Sequence, residues 1–243
     1  MARAARVNAL VFENVHASYG PYKALNGLSL VVGGNETVAL LGRNGVGKST
    51  LVRVASGIVP VTSGSLEVLG RTVRRTAAHV LARDGVVHLP EGVGLFAGLS
   101  IEENLVLRVG GATRAQRRAR LANALDGLGP SLRARHRTKA GQLSGGQQRL
   151  VAVAAAIAAE PRLLLCDEPA LGLAPGAADE VYGALLTARS PERAMVIVET
   201  RLDRAVKLCA RAVVLDAGVV AFDSTTSDTE GIAAALLGIR GAA

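Results

Sequence analysis

Tryptophan is absent from this 243-residue chain, which carries only three phenylalanines and three tyrosines. So few aromatic faces leave little surface for stacking unpaired bases, which argues against a nucleic-acid partner. Long apolar runs are missing as well. The longest uncharged one, Leu150 to Ala159, has ten residues, half of what a membrane-spanning helix needs. Cysteine is limited to Cys166 and Cys209. Their spacing suits no metal site, so both are expected as small buried apolar residues in a reducing compartment. The opening MARAAR is basic but leads into no apolar stretch, and the expectation is a cytosolic chain without a secretory leader. No internal repeat or long linker interrupts the sequence.

What is present is an apolar fraction of 49%, enough for a sizeable core, and a length that α/β folds commonly use for a single domain. The formal charge of +8 comes almost entirely from arginine. A basic balance can signal an anionic partner, but here the arginines are spread along the chain. The densest group, RAQRRAR from Arg114 to Arg120, runs into LANALDGL. That pattern reads as a surface helix with a solvated basic face, contact with lipid headgroups or a partner being the alternative.

Punctuation by Gly, Pro and Asn yields a βα order with an irregular middle. NALVFENVHASYG and GLSLVVGGNETVALLG read as short strands broken by Gly and Asn, Thr37 to Leu41 being the continuous apolar run of a buried parallel strand. A helix is expected from Lys48, a strand in SGSLEVLG, a helix in RTAAHVLARDG ended by Gly85, and a strand at VVHLP. Residues 91–160 contain helical patterns without convincing strands. Alternation then resumes with strand RLLLCD, a helix over Ala177 to Arg189, strand AMVIVE, helix RLDRAVKLCA, and strands AVVLD and VVAFD. The expected class is α/β, with a mainly parallel sheet flanked by helices. We expect one domain over 1–243, its core formed by 1–90 and 161–243 and a helical subdomain inserted over 91–160.

The stretch GRNGVGKST lies between an apolar strand and a helix, where the pattern G-x-x-x-x-G-K-[ST] acquires a mechanism. Glycine lets main-chain N–H groups turn inward around phosphate oxygens, and the helix N-terminus presents partial positive charge to the same anion. The predicted cradle comprises Gly42, Arg43, Asn44, Gly45, Val46, Gly47, Lys48, Ser49 and Thr50. Lys48 can reach the β- and γ-phosphates of a nucleotide, and the Ser49 hydroxyl can ligate Mg²⁺. LLLCDE supplies a metal partner, because a buried strand would carry Asp167 to its carboxyl end, where open α/β sheets bind ligands. Glu168 is the candidate general base for an attacking water. LSGGQQR reads, from its residues alone, as a helix start capped by Ser144, with a ligand role left open.

At this point the sequence resembles a known family. The phosphate loop, LSGGQQR and LLLCDEP together look like the nucleotide-binding subunit of ATP-binding cassette transporters, over almost the whole chain. The spacing agrees: 96 residues from Lys48 to Ser144, 23 to Asp167, and 33 more to Thr200. The resemblance implies a P-loop NTPase core with an N-terminal antiparallel β subdomain, and ATP and Mg²⁺ as cofactors. It also implies a head-to-tail dimer in which Leu143, Ser144, Gly145, Gly146 and Gln147 face the γ-phosphate bound by the other protomer. Tyr19 resembles the aromatic residue that stacks on adenine, although alone it reads as an ordinary packing residue. The implied partners are a second cassette, identical or different, membrane permease subunits and, indirectly, a solute-binding protein. The implied location is the inner face of the cell membrane, with a coupling helix received near Leu95 and Phe96, where ordinary core packing of Phe96 is the alternative.

Three positions depart from the commonest family pattern. Glu91 stands where glutamine is usual, Ala174 where aspartate is usual, and Thr200 where histidine is usual. LPEGVGLF and DEPALGLAP nevertheless resemble the ATPase subunits of branched-chain amino acid importers and related amide or urea importers, which also commonly lack the histidine. Thr200 departs even from those. The expectation is Mg²⁺-dependent ATP binding with slow intrinsic hydrolysis. A DNA- or ribosome-associated cassette and a regulatory ATP-binding module are the alternative functions.

Overall fold

Two twelve-residue strands come first among the described residues, and over Leu28 to Val32 burial alternates with the period of two that a half-buried sheet requires. The computed structural model describes residues 8–74, 76–109 and 113–239. Strands β1 (Asn8–Tyr19) and β2 (Tyr22–Gly33) form a tight antiparallel hairpin. They are not the short strands expected, because the interrupting residues make bulges rather than breaks. Asn14 adopts a left-handed conformation (φ 49°), its N–H donates to Ser29 Oγ at 3.0 Å, and pairing resumes at Val15. A bulge keeps a strand going at the cost of one unpaired residue, and here a side chain takes up the orphaned donor.

The remaining elements follow in order: β3 (Thr37–Leu41), α1 (Lys48–Ala55), β4 (Ser63–Val68), β5 (Arg71–Thr72), α2 (Ala78–Arg83), β6 (Val86–Leu89), α3 (Ile101–Arg108), α4 (Arg114–Gly127), α5 (Gly129–Ala134), α6 (Gly145–Ala158), β7 (Leu163–Asp167), α7 (Pro175–Thr187), β8 (Ala194–Val198), α8 (Leu202–Leu208), β9 (Arg211–Asp216), β10 (Val219–Thr225) and α9 (Thr229–Leu236). Most expected elements lie within a few residues of their sequence reading. α7 begins two residues early because Pro175 occupies its first position, where a missing N–H is harmless. α9 had no counterpart in the sequence reading.

The chain divides into two compact units, one comprising the described residues up to His88, Arg162–Asp167 and those from Ser190 onward, the other Leu89–Pro161 with Glu168–Arg189. The first unit holds two sheets. One is antiparallel, in the order β2-β1-β4-β5; the other has the order β10-β9-β3-β8-β7-β6. In the second sheet β3 runs parallel to both β8 and β9, and β7 runs parallel to β8. β7 and β8 are buried along their whole length, which matches the unbroken apolar runs that a sheet covered on both faces demands. The shared core includes Phe12, Leu28, Leu40, Leu51, Leu66 and Leu165.

The second unit is helical around Ile101, Leu105, Leu132, Leu143 and Val151. Reciprocal capping boxes start three of its helices: Ser100 with Glu103, Thr113 with Gln116, and Ser144 with Gln147. The arginine-rich α4 exposes its first turns as expected, with Arg120 pairing to Glu160. Both cysteines are buried, and among the described residues no helix is long and apolar enough to cross a membrane.

One half-buried histidine links this packing to pH. His88 on β6 lies 3.4 Å from Ser56 Oγ through Nδ1, while its Nε2 is buried without a partner among the described residues. Burial, and secondarily the nearby Arg53 cation, lowers its pKa from 6.5 to about 4. The unfolded chain therefore binds a proton between those pH values that the folded chain refuses, so stability is retained above pH 6.5 and lost as the pH falls toward 4. Urea-unfolding midpoints should drop across that interval, and His88→Gln should flatten the drop.

Candidate functional site

Apolar strands place the polar residues at one edge of the six-stranded sheet. In the parallel register Leu40 and Asp167 each pair with Val198, so the segments that follow β3 and β8 leave the sheet beside the carboxylate that closes β7. The edge formed by the carboxyl ends of parallel strands is where open α/β sheets bind ligands. Three sequence segments meet there: the Gly42–Thr50 loop, Asp167, and Glu199–Thr200.

Glycine is required in the loop for two separate reasons. At Gly42 (φ 146°) an added Cβ would sit 2.5 Å from the Leu215 carbonyl oxygen, so contact excludes a side chain. At Gly45 (φ 82°) the space is open and only the left-handed backbone demands glycine. Arg43, Asn44 and Gly45 form an exposed tip, whereas Lys48 and Thr50 are buried in the first turn of α1. The Lys48 ammonium donates to the carbonyls of Gly42 (2.8 Å) and Arg43 (3.0 Å), which folds it over the loop.

Ser49 and Asp167, 118 residues apart in sequence, meet: Ser49 Oγ donates to Asp167 Oδ1 at 3.0 Å. Asp167 is only 1% exposed. Two neighbouring oxygen ligands of an octahedral Mg²⁺ at about 2.1 Å stand roughly 3 Å apart, so this pair already has the separation such an ion requires. The described residues contain no group of three or more His, Cys, Asp or Glu able to hold a metal.

Glu168 has a left-handed backbone (φ 45°), which is strained for a residue with a side chain. Its carbonyl accepts from Leu171 N–H (3.2 Å) and from an Arg149 N–H (3.3 Å). Arg149 is 4% exposed and also donates to the carbonyls of Pro90 (2.9 Å), Gly92 (2.6 Å) and Glu91. One guanidinium from α6 thus holds the backbone of both Glu91 and Glu168. The Glu91 side chain itself is exposed. The same helix starts with the Ser144 cap, where Ser144 Oγ accepts from Gln147 N–H (3.3 Å) and Gln147 Oε1 accepts from Ser144 N–H (3.2 Å). Leu143 is buried, Ser144 and Gly145 are exposed, and a Cβ on Gly146 would meet Ala177 Cβ at 2.6 Å.

Tyr19 ends β1, and its hydroxyl lies 3.5 Å from Arg53 Nη1 on α1. Thr200 is exposed, and its N–H donates to Glu199 Oε2 (3.2 Å). Phe96 is 62% exposed, which removes the core-packing alternative, whereas Leu95 packs against the helical core. Asn104 fixes this stretch by accepting from Phe96 N–H (2.8 Å) and donating to the carbonyls of Phe96, Leu99 and Ser100. Ala174 is exposed at the start of α7.

The sequence reading missed Arg149, Asn104, Glu199 and Tyr22. Glu199 is 4% exposed and directly follows β8, and its signal was present in VIVE, where an acid follows an apolar run much as Asp167 ends LLLCD. Arg149 and Asn104 carry no comparable pattern, because their partners are main-chain carbonyls that a sequence does not place.

The ABC transporter family signature matches residues 25–171. The high-affinity branched-chain amino acid transport ATP-binding protein BraG of Pseudomonas aeruginosa is 33% identical over 216 residues, covering 89% of this chain and 92% of that protein. The lipopolysaccharide export system ATP-binding protein LptB of Haemophilus influenzae is 32% identical over 218 residues, covering 88% and 89%. The crystal structure of the ADP conformation of an ATP-binding cassette of an ABC transporter is 25% identical, covers 95% of each chain and gives a TM-score of 0.79.

Because four carbonyls converge on one buried cation, Arg149→Lys, which offers fewer donors without the planar fork, should destabilise the fold by about 2–4 kcal/mol in urea titrations.

Proposed function

The chain belongs to the ABC transporter family, whose nucleotide-binding subunits couple ATP hydrolysis to transport, and from that premise we propose that it energises an importer of branched-chain amino acids or related small amides. The observation that carries the nucleotide chemistry is the 3.0 Å pairing of Ser49 and Asp167 beside the phosphate loop. In this reading Gly42 to Thr50 wrap the β- and γ-phosphates with main-chain N–H groups. Lys48 exchanges its carbonyl partners for phosphate oxygens, and Ser49 and Asp167 would hold Mg²⁺. When bound, the ion neutralises charge on the phosphates and orients them for in-line attack. Glu168 accepts the proton of the attacking water, its backbone held by Arg149. Tyr19 stacks on the base.

Leu143 to Gln147, with a helix N-terminus behind them, take the γ-phosphate of a second cassette in a head-to-tail dimer. The exposed Phe96, on a stretch pinned by Asn104, receives an apolar element of the permease, which brings the subunit to the inner face of the membrane; a solute-binding protein acts through that permease. The importer assignment rests on PEG at Pro90–Gly92 and LGLAP at Leu171–Pro175, together with the name of the BraG relative. LptB, a similarly distant relative, serves export, so the direction of transport rests on those residues and not on overall identity.

Thr200, short and uncharged, contributes no cation at the γ-phosphate, and Glu91 brings a carboxylate where an amide is usual. Both features slow hydrolysis without weakening MgATP binding.

Two measurements test this. Calorimetry should detect ATP binding by the wild-type chain with magnesium and much weaker binding with EDTA, while Glu168→Gln should keep the affinity and reduce turnover by about a hundredfold or more. Turnover that survives Glu168→Gln assigns the base elsewhere. Separately, Thr200→His should raise phosphate release by roughly tenfold or more; an unchanged rate counts against the role given to Thr200.

A further inference from the structure

A loop whose N–H groups all turn inward toward an anion must send its carbonyls outward, because the two groups point oppositely across each peptide plane. Each outward carbonyl then needs a partner if the loop is to hold its shape before the anion arrives. Most of these partners are close at hand. The carbonyls of Gly42 and Arg43 accept from Lys48. Val46 accepts from Gly218 N–H at 2.9 Å, and Gly47 accepts from Leu51 N–H within α1, also at 2.9 Å. At the exposed tip the partner comes from further away: the Tyr22 hydroxyl donates to the Gly45 carbonyl at 3.2 Å.

Tyr22 is built to hold that position. It starts β2 directly opposite Tyr19 across a two-residue turn, in which Gly20 is left-handed (φ 57°) and Pro21 has a fixed φ. The hairpin is long and part of a four-stranded sheet, so the phenol projects from a rigid support. Its ring has only two side-chain torsions to immobilise. The loop tip it touches is exposed at Arg43, Asn44 and Gly45, and the space beside the Gly45 Cα is open.

We propose that Tyr22 is a positioning residue for the triphosphate: its hydroxyl latches the tip of the phosphate loop in the N–H-inward conformation, so that polyphosphate meets a prepared site. This deepens the nucleotide-site reading given above and rests on it. Lys48 serves two loop carbonyls only until a phosphate draws its ammonium away. From that moment Tyr22 still tethers the tip, so its effect falls on binding and not on the chemical step. Because the latch grips backbone and not base, it acts on any ligand with linked phosphates.

The experiment is Tyr22→Phe, which keeps the ring and removes one oxygen from an exposed side chain. Calorimetry with magnesium should show Kd rising about three- to tenfold both for ATP and for inorganic tripolyphosphate. KM for ATP should rise in parallel while kcat stays within about twofold, and the melting temperature should be unchanged. Equal affinities in variant and wild type overturn the latch. So does a loss confined to ATP with tripolyphosphate unaffected, since that places Tyr22 at the base. A wild-type chain that binds neither ligand overturns the nucleotide site itself and the latch with it.

Discussion

In the proposed reading the chemistry depends on one contact, the hydroxyl of Ser49 against the carboxylate of Asp167 at 3.0 Å. Neither side chain would be found at that point without the parallel pairing of β3, β8 and β7, whose apolar residues are buried and leave polar side chains only at the strand ends. Hydrophobic burial therefore does the positioning, and the few polar groups at the sheet edge inherit their geometry from it. Asp167 is almost fully buried, so its charge is exposed to little screening and acts strongly on whatever cation it meets.

Conformational strain and polar saturation fall in the same places along this chain. Glu168 and three glycines of the phosphate loop have positive φ, and the adjacent carbonyls are occupied by Lys48, Arg149, Gly218 and Tyr22. Strained backbone persists only where surrounding bonds over-determine it, and that is the arrangement here. Arg149 makes the point most directly, since a guanidinium that satisfies four carbonyls fixes two short segments at once. In the proposed reading those segments carry Glu91 and the base Glu168, so a residue on the helix of the signature stretch holds the backbone behind the chemistry.

Much of the architecture was legible because the periodicities are strong. Apolar runs such as TVALL and AMVIV read as buried strands because they are too short for helices and rich in β-branched residues. The phosphate loop was legible because its glycines and lysine sit at a spacing that little else produces. The opening strands were misjudged as short because Asn14 and Gly27 look like breaks, whereas long-range pairing between β1, β2 and β4 carries the sheet through them. α9 was missed because TEGIAAAL joins an indifferent polar start to a small-residue run, and its helix is capped by Asp228, which accepts from Gly231 N–H. Tyr19 was singled out by its resemblance to the family's stacking aromatic, whereas nothing in the sequence marks Tyr22, whose partner is the main-chain carbonyl of Gly45.

By itself the sequence determined which chemical groups are available and on which kind of element each rides, since hydrophobic period, glycine placement and capping residues are local properties of the chain. Only tertiary structure decided which of those groups meet. The approach of Ser49 to Asp167, the four carbonyls gathered by Arg149 and the reach of Tyr22 to Gly45 are all set by strand register and by backbone atoms that look alike in every sequence. Their positions follow from packing of the whole core and from no motif.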